Sequence, residues 1–229
     1  MNQQVEQNKI IEGRFVGLKD FFVAEVLENT MDTYSADEPI MLSRAINAKI
    51  APKYNSTAVY SNNTTEYASS LFESGTITLS ANDLSPEMKS ILFGHKYNSE
   101  TGLLDLSVDD VSNPVAIGFR ATRSNGCKQQ LRWYYVCVFS PSTESFATLS
   151  TKETVQDFQL TGQFVGRAKD GKYGVELDEE YISATADVGN LLTNWFSAVI
   201  DDSNVETYIG TGIAKPTEAF ETSREAFRR

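Results

Sequence analysis

The sequence holds a single histidine, His95, and two cysteines, Cys127 and Cys137, among 229 residues. One histidine offers no pair of imidazoles for a typical zinc site, and the cysteines lack C-x-x-C spacing. His95 directly follows Gly94, a helix-ending position where a ring near the last carbonyls serves structure. The carboxylate pairs Asp109-Asp110 and Glu179-Glu180 sit in turn-like surroundings, and neighbours in sequence do not make a general acid/base pair. The glycine-bearing segments GLLDL, GQFVG and GTG lack the strand-to-helix context of a phosphate loop. No enzyme, metal or cofactor is therefore expected. No apolar run approaches the ~20 residues that span a bilayer, and MNQQVEQNKI has neither the basic start nor the apolar core of a secretory signal. A soluble cytosolic product with no membrane association is expected. Cations are also scarce: 20 Lys and Arg against 31 Asp and Glu leave a net charge of -11, which disfavours wrapping nucleic acid.

What is present is β-rich. With 41% hydrophobic and 11% aromatic residues, the chain can bury one large core, and we expect a β-rich domain over 15–200 with arms at 1–14 and 201–229. In GTITLSANDLSPEMKSILFGH, Ile77, Leu79 and Ala81 alternate with polar residues as in a half-buried strand. Ser85 then offers an N-cap, Pro86 the first helical position, and Gly94 the stop. FVGLKDFFVAEVL, 15–27, reads as an early strand with Phe22, Ala24 and Val26 on one face. From 28 to 74 regular pattern fades, apart from a short strand expected near 45–50. This stretch, rich in Asn, Ser and Thr, is expected to be a long exposed loop serving as an interaction arm, with Tyr54, Tyr60, Glu66 and Tyr67 as contact candidates.

Two hairpins allow register to be assigned. In LTGQFVGRAKDGKYGVEL a type I′ turn at Asp170-Gly171 sets Phe164 opposite Leu177, Gly166 opposite Val175 and Ala168 opposite Tyr173. Phe158, Leu160, Gly162 and Phe164 share its core face. In PVAIGFRATRSNGCKQQLRWYYVCVF a two-residue turn at Asn125-Gly126 would set Phe119 against Arg132. A three-residue loop instead sets Val115, Ile117, Phe119 and Ala121 against Cys137, Tyr135, Trp133 and Leu131, and is preferred. It places Arg120 facing Arg132, a clash that an acidic neighbour or water must relieve. It also puts both cysteines on one strand ~33 Å apart, beyond disulfide reach, so free thiols are expected.

A second helix is expected over 187–200, capped by Asp187, with Val188, Leu191, Leu192, Trp195 and Val199 as its apolar stripe. The terminus PTEAFETSREAFRR spaces Phe220 and Phe227 seven apart and ends in arginines, a charge order that suits a helix dipole.

Several segments, in order, resemble the major tail protein of long-tailed (siphovirus-type) phages of Gram-positive bacteria. They are VGLKDFFVAEV, INAKIAPKYNS, EYASSLFESGTITLSANDL, MKSILFGH, IGFRATRSNGCKQQLRWYYVCVF and NWFSAVI, over roughly 15–200. The resemblance implies a β-sandwich or barrel with one or two short flanking helices and long arms. It further implies self-assembly into stacked hexameric rings, the tail tube through which DNA passes without specific binding. It places the protein in the virion tail, assembled in the host cytoplasm, with the tape measure, tail terminator and distal tail proteins as partners.

On that footing the residues fall into two groups. Asp20, Glu25, Asp157, Glu176 and Asp178 lie on or beside expected strands and are candidates for an acidic lumen, in a ring whose six copies at -11 carry -66. Arg120, Arg123, Lys128 and Arg132 cluster on a hairpin free of acids, and are candidates for a charge-matched contact with a neighbouring subunit. Phe220 and Phe227 join the contact candidates. The alternative reading is a β-sandwich carbohydrate- or receptor-recognition module of a virion, for which Tyr34, Tyr54, Tyr60 and Tyr67 would supply exposed aromatics.

Overall fold

The computed structural model describes residues 14–43, 45–61, 64–81, 84–124, 128–141, 158–183 and 186–209, with the backbone alone at 45, 57–61 and 64–68. Eleven strands run in chain order: β1 Phe15–Asn29, β2 Tyr34–Ala36, β3 Ile40–Ser43, β4 Ala45–Ser61, β5 Thr64–Ala81, β6 Lys96–Asn98, β7 Leu103–Asp105, β8 Pro114–Arg123, β9 Gln129–Ser140, β10 Phe158–Val165 and β11 Gly174–Asp178. The helices are α1 Pro86–Phe93, α2 Gly189–Thr193 and α3 Val205–Tyr208, with a 3-10 turn at Glu179–Tyr181.

Nine strands form one antiparallel sheet in the order β2-β1-β8-β9-β10-β5-β4, with β3 beside β1 and β11 beside β9. β3 pairs Ser43 with Phe21 on β1, and β4 then pairs Ala45 with Ala81 on β5. The run from 40 onward therefore ties the first strand to the far edge and curls the sheet toward a barrel-like sandwich, with β1 and β4 brought near each other but not paired.

Curling gives the sheet two buried faces. Inside lie Phe21, Val23, Ile77, Leu79, Ile117, Phe139, Leu160 and Phe164, closed over by Met88, Leu92 and Phe93 of α1. On the outer face Ala24, Ala116, Trp133 and Tyr135 are covered by Leu191, Trp195, Val199 and Ile200. β1 thus buries Phe21 and Val23 on one side and Ala24 on the other, with Phe22 packed beside Ala24. β8 reads as an unbroken apolar run because it too is covered on both faces. Cross-strand glycines make room for rings: a Cβ on Gly118 would meet the Trp133 ring at 2.7 Å, and one on Gly75 the Phe164 ring at 2.1 Å.

The strand-to-helix unit matches its sequence expectation. Ser85 Oγ accepts the Met88 N–H at 3.3 Å, Pro86 opens α1, and Gly94 ends it in the left-handed region at φ 72°. The second helix is shorter than expected. α2 covers only Gly189–Thr193, its N-cap is Val188 rather than Asp187, and it makes no side-chain cap bond. The Asn194 side chain bonds the Asn190 carbonyl at 3.0 Å, and the chain continues as turns that still bury Trp195 and Val199. The stripe marked the buried face; packing, rather than helix, delivers it.

Three further expectations are corrected. Most of the described part of 28–74 is strand rather than loop: β2 and β3 pair with β1, and β4 and β5 pair from Ala45↔Ala81 out to Ser61↔Thr64. The Asp170-Gly171 turn forms, with Gly171 at φ 73°, yet β10 and β11 do not pair with each other. Both lie along the same edge of β9, Val165 opposite Val136 and Gly174 opposite Tyr134, so residues 166–173 are looped out opposite Tyr135. Phe164 faces Cys137 and Gly75 instead of Leu177. On β8–β9, Phe119 faces Arg132 and Ile117 faces Tyr134, the two-residue register, while Val115 faces Cys137 as in the three-residue one. A bulge between Val115 and Ile117 reconciles them. Arg120 accordingly opposes Leu131 and the expected Arg120–Arg132 clash does not arise. Cys137 is a buried free thiol, raised well above the ordinary range by burial; Cys127 lies outside the described residues.

Candidate functional site

The far half of the β4–β5 hairpin projects beyond the third strand of the sheet. β10 accompanies β5 only from Ala81 to Gly75. Beyond Lys53↔Ser74 the two strands pair only with each other among the described residues, and at ~3.3 Å per residue they project about 26 Å to Ser61↔Thr64. At the root Phe72 still stacks on Phe164 at 5.7 Å and on Tyr173 at 4.1 Å. The sequence there suits water: Ser56 Oγ donates to Ser70 Oγ at 3.3 Å, and Lys53 pairs with Glu73 at 3.0 Å at the root. Tyr54 stacks edge-on against Phe72 at 5.9 Å and is half exposed, while Leu71 is 67% exposed. A two-stranded ribbon is marginal in water on its own, and among the described residues both its outer edges carry unpaired backbone groups. Tyr60 opposes Thr65 and Tyr67 opposes Val59 within this ribbon, and Glu66 lies between them on β5.

The basic hairpin and the acidic candidates, expected to serve two different surfaces, meet each other. Asp20 takes a positive φ of 52° at a bulge in β1, a backbone region Asp tolerates, and its Oδ2 accepts from Arg120 Nε at 2.7 Å. Arg123 bonds Asp178 at 2.5 Å, Lys128 pairs with buried Glu180 at 3.2 Å, and Arg132 pairs with Glu176 at 2.7 Å. Gln130 donates to both Glu176 and Asp178, and Glu179 Oε2 accepts the Gln129 N–H at 2.6 Å. Burial alone would raise Asp178, but the Arg123 hydrogen bond and the Glu180 N–H hold it below the usual carboxylate range. All four cations thus meet their charge within the chain. Of the other acids, Glu25 is half-buried on β1, and Asp157 lies outside the described residues with Phe220 and Phe227.

Sequence reasoning missed the most deeply buried ion pair among the described residues. Arg167, 2% exposed, bonds Asp170 through Nε at 2.8 Å and Asp201 through Nη1 at 2.6 Å. Its guanidinium lies 4.6 Å from the Tyr135 ring centre and 5.1 Å from that of Tyr34. The Arg167 bonds, ahead of a backbone N–H from Lys172, draw Asp170 down to about 2. Tyr34 donates its hydroxyl to the Tyr135 carbonyl at 2.7 Å and Tyr135 donates to the Ile200 carbonyl at 3.2 Å. This cluster pins 199–204 onto the looped-out turn. An Arg three residues before the Asp of an Asp-Gly turn was the signal available. Half-buried and engaged, Tyr34 is not the exposed aromatic that a glycan platform would need.

His95 is structural by a different contact from the one expected. Its Nδ1 sits 2.7 Å from Asp110 Oδ2, which also accepts the Ser107 N–H at 2.8 Å. The Ser107 N–H first, then His95, holds Asp110 below the usual carboxylate range. Asn113 donates to the Ile91 carbonyl at 3.0 Å, so 107–113 is fastened to α1. Among the described residues no group of three or more His, Cys, Asp or Glu could hold a metal, and no helix is long and apolar enough to cross a membrane.

No individual curated protein is a significant match to the chain. A sequence profile of the phage tail tube protein family matches residues 51–187, from the start of the projecting hairpin through the ion-paired cluster on β8, β9 and β11. That is well over half of the chain, and the mainly antiparallel β fold with few short helices agrees with it. The chain belongs to the phage tail tube protein family, and its role is a structural one in the phage tail tube.

Proposed function

We propose that the chain assembles with itself into closed hexameric rings that stack into a hollow tube, a conduit for DNA into the host of a long-tailed phage of Gram-positive bacteria. The observation that carries this is the projecting β4–β5 ribbon, whose outer edges are unpaired among the described residues over about 26 Å. Such an edge gains its missing hydrogen bonds by lying against another subunit, and an isolated ribbon gains stability by the same contact. Tyr54, Tyr60, Glu66 and Tyr67 belong to this contact, and Phe220 and Phe227 to the trailing arm, 201–229.

The net charge of -11 suits a wall along which DNA slides without adhering. Because Asp20, Glu176 and Asp178 are engaged by arginines, the free lumen charge comes from other carboxylates, with Glu25 among them. The four paired cations present their ion-pair surface to a neighbour rather than bare positive charge. Assembly takes place in the host cytoplasm, and the tube's ends meet the tape measure, tail terminator and distal tail proteins of the same virion. Electron microscopy of the purified chain tests the reading: rings or tubes are expected, and monodisperse monomers at every concentration would overturn it.

A further inference from the structure

Between α1 and β8 the chain shows four large aliphatic side chains to water. Leu103, Leu106, Val108 and Val111 are all more than half exposed, Val108 at 99%. Scattered exposed aliphatics are ordinary, but four within nine residues form a patch. The segment is fastened rather than loose: His95 and the Ser107 N–H both hold Asp110, Asn113 anchors on Ile91, and a Cβ on Gly94 would meet the Val111 carbonyl at 2.2 Å. A fixed apolar knob loses little entropy on binding. Its exposed carboxylates Asp105 and Asp109 have no ion pair among the described residues.

A matching hollow lies elsewhere on the same molecule. Where β4 parts from β1, a cleft of about 360 Å³ opens, lined by Phe15, Val16, Ile46 and Ile50 among others. Phe15, Val16 and Ile46 are themselves exposed there. Lys19 and Lys49 do not line the cleft but lie exposed next in sequence to its lining residues Leu18, Ala48 and Ile50, and have no ion pair among the described residues. Knob and cleft cannot meet within one chain. Val111 precedes the first residue of β8, whereas the cleft reaches Ala121 near its other end, roughly 23 Å along the strand.

We propose that the 103–111 knob of one subunit seats in the β1/β4 cleft of the next copy of the chain, Asp105 and Asp109 facing Lys19 and Lys49. Apolar surface meets apolar surface and acid meets base, and contact between two different patches is head-to-tail, the kind that makes rings or filaments. This contact rests on the self-assembly reading and adds a second interface to it, distinct from the hairpin ribbon.

The test uses the full chain and compares assembly thresholds by sedimentation velocity and electron microscopy. Leu106→Glu/Val108→Glu should keep the wild-type circular dichroism and melting temperature while raising the assembly threshold at least about tenfold, since buried aliphatic area is lost and two carboxylates would have to be desolvated in an apolar cleft. Asp109→Lys and Lys49→Asp should each weaken assembly, and the two together should restore it. Wild-type assembly with an unchanged threshold in the double Glu variant overturns the knob and leaves the tube reading standing. A wild-type chain that never assembles overturns the tube reading, and this contact with it. Ile46→Glu should impair assembly alone; if it also lowers monomer stability, a segment of the same chain fills the cleft and the proposal fails.

Discussion

The two halves of the β4–β5 hairpin share their strands and almost nothing else. In the inner half Ile77, Leu79 and Ala81 are at most 1% exposed, and β10 adds a third hydrogen-bonded strand. In the outer half Leu71 is 67% exposed, the side chains described at 52–56 are all exposed, and no third strand is present among the described residues. Alternating hydrophobicity marks a strand only where one face is buried. The outer half is a strand for a different reason: the inner half fixes the register and β pairing propagates from it. Folding stability should therefore reside in the inner half, and assembly in the outer one.

The largest expected effect comes from cutting into the inner half. Leu79→Ala should cost about 3 kcal/mol, lowering the melting temperature by roughly 6–12 °C, whereas Leu71→Ala, eight residues away on the same strand, should stay within about 0.5 kcal/mol. Comparable losses for the two would erase the distinction. Asp201→Ala should follow at about 3 kcal/mol or a little less in denaturant unfolding, because it removes one of two carboxylates from buried Arg167. A change within 1 kcal/mol would mean that Asp170 alone suffices.

Acid should sharpen the same contrast. Asp170, Asp178 and Asp201 titrate below the ordinary carboxylate range when folded. Groups with depressed folded values contribute stability above their unfolded value near 4 and lose it as pH falls through the folded one. Stability should thus decline from about pH 4 toward about 2, where Asp170 is protonated. Arg167→Met should flatten that decline, measured by thermal melts across pH. Smallest of all in its effect on folding, deleting Tyr60–Ser70 should shift stability by no more than about 1 kcal/mol while abolishing tubes, since a polar ribbon adds little to the core. Loss of native circular dichroism on deletion would show that the ribbon is part of the fold.

Legibility in the sequence followed how many faces an element buries. α1 was readable because Ser85, Pro86 and Gly94 act within one turn of themselves. β10 was readable because Leu160, Gly162 and Phe164 bury one face only. β8 was harder: with apolar residues on both faces, its pattern does not change when the register slips by one, and only the bulge at Val115/Ile117 decides. The Asp170-Gly171 turn has the chemistry of a hairpin, but the same turn also closes a loop whose two flanking strands both add to β9.

The acidic and basic residues failed to sort in sequence for a related reason. Arg120 and Asp20 are a hundred residues apart, as far as any local rule is concerned independent, and curling of β1 against β8 makes them one ion pair. The sequence by itself determined the class of protein: mainly β, poor in catalytic groups, net acidic, with α1 and the inner strands in place, because composition, caps and one-sided alternation act locally. The tertiary structure alone decided that β4 and β5 project together as a ribbon, that the four cations of the basic hairpin are matched within the chain, and that Arg167 locks the 199–204 segment. Each of these depends on which strands become neighbours, a long-range choice that no residue makes on its own.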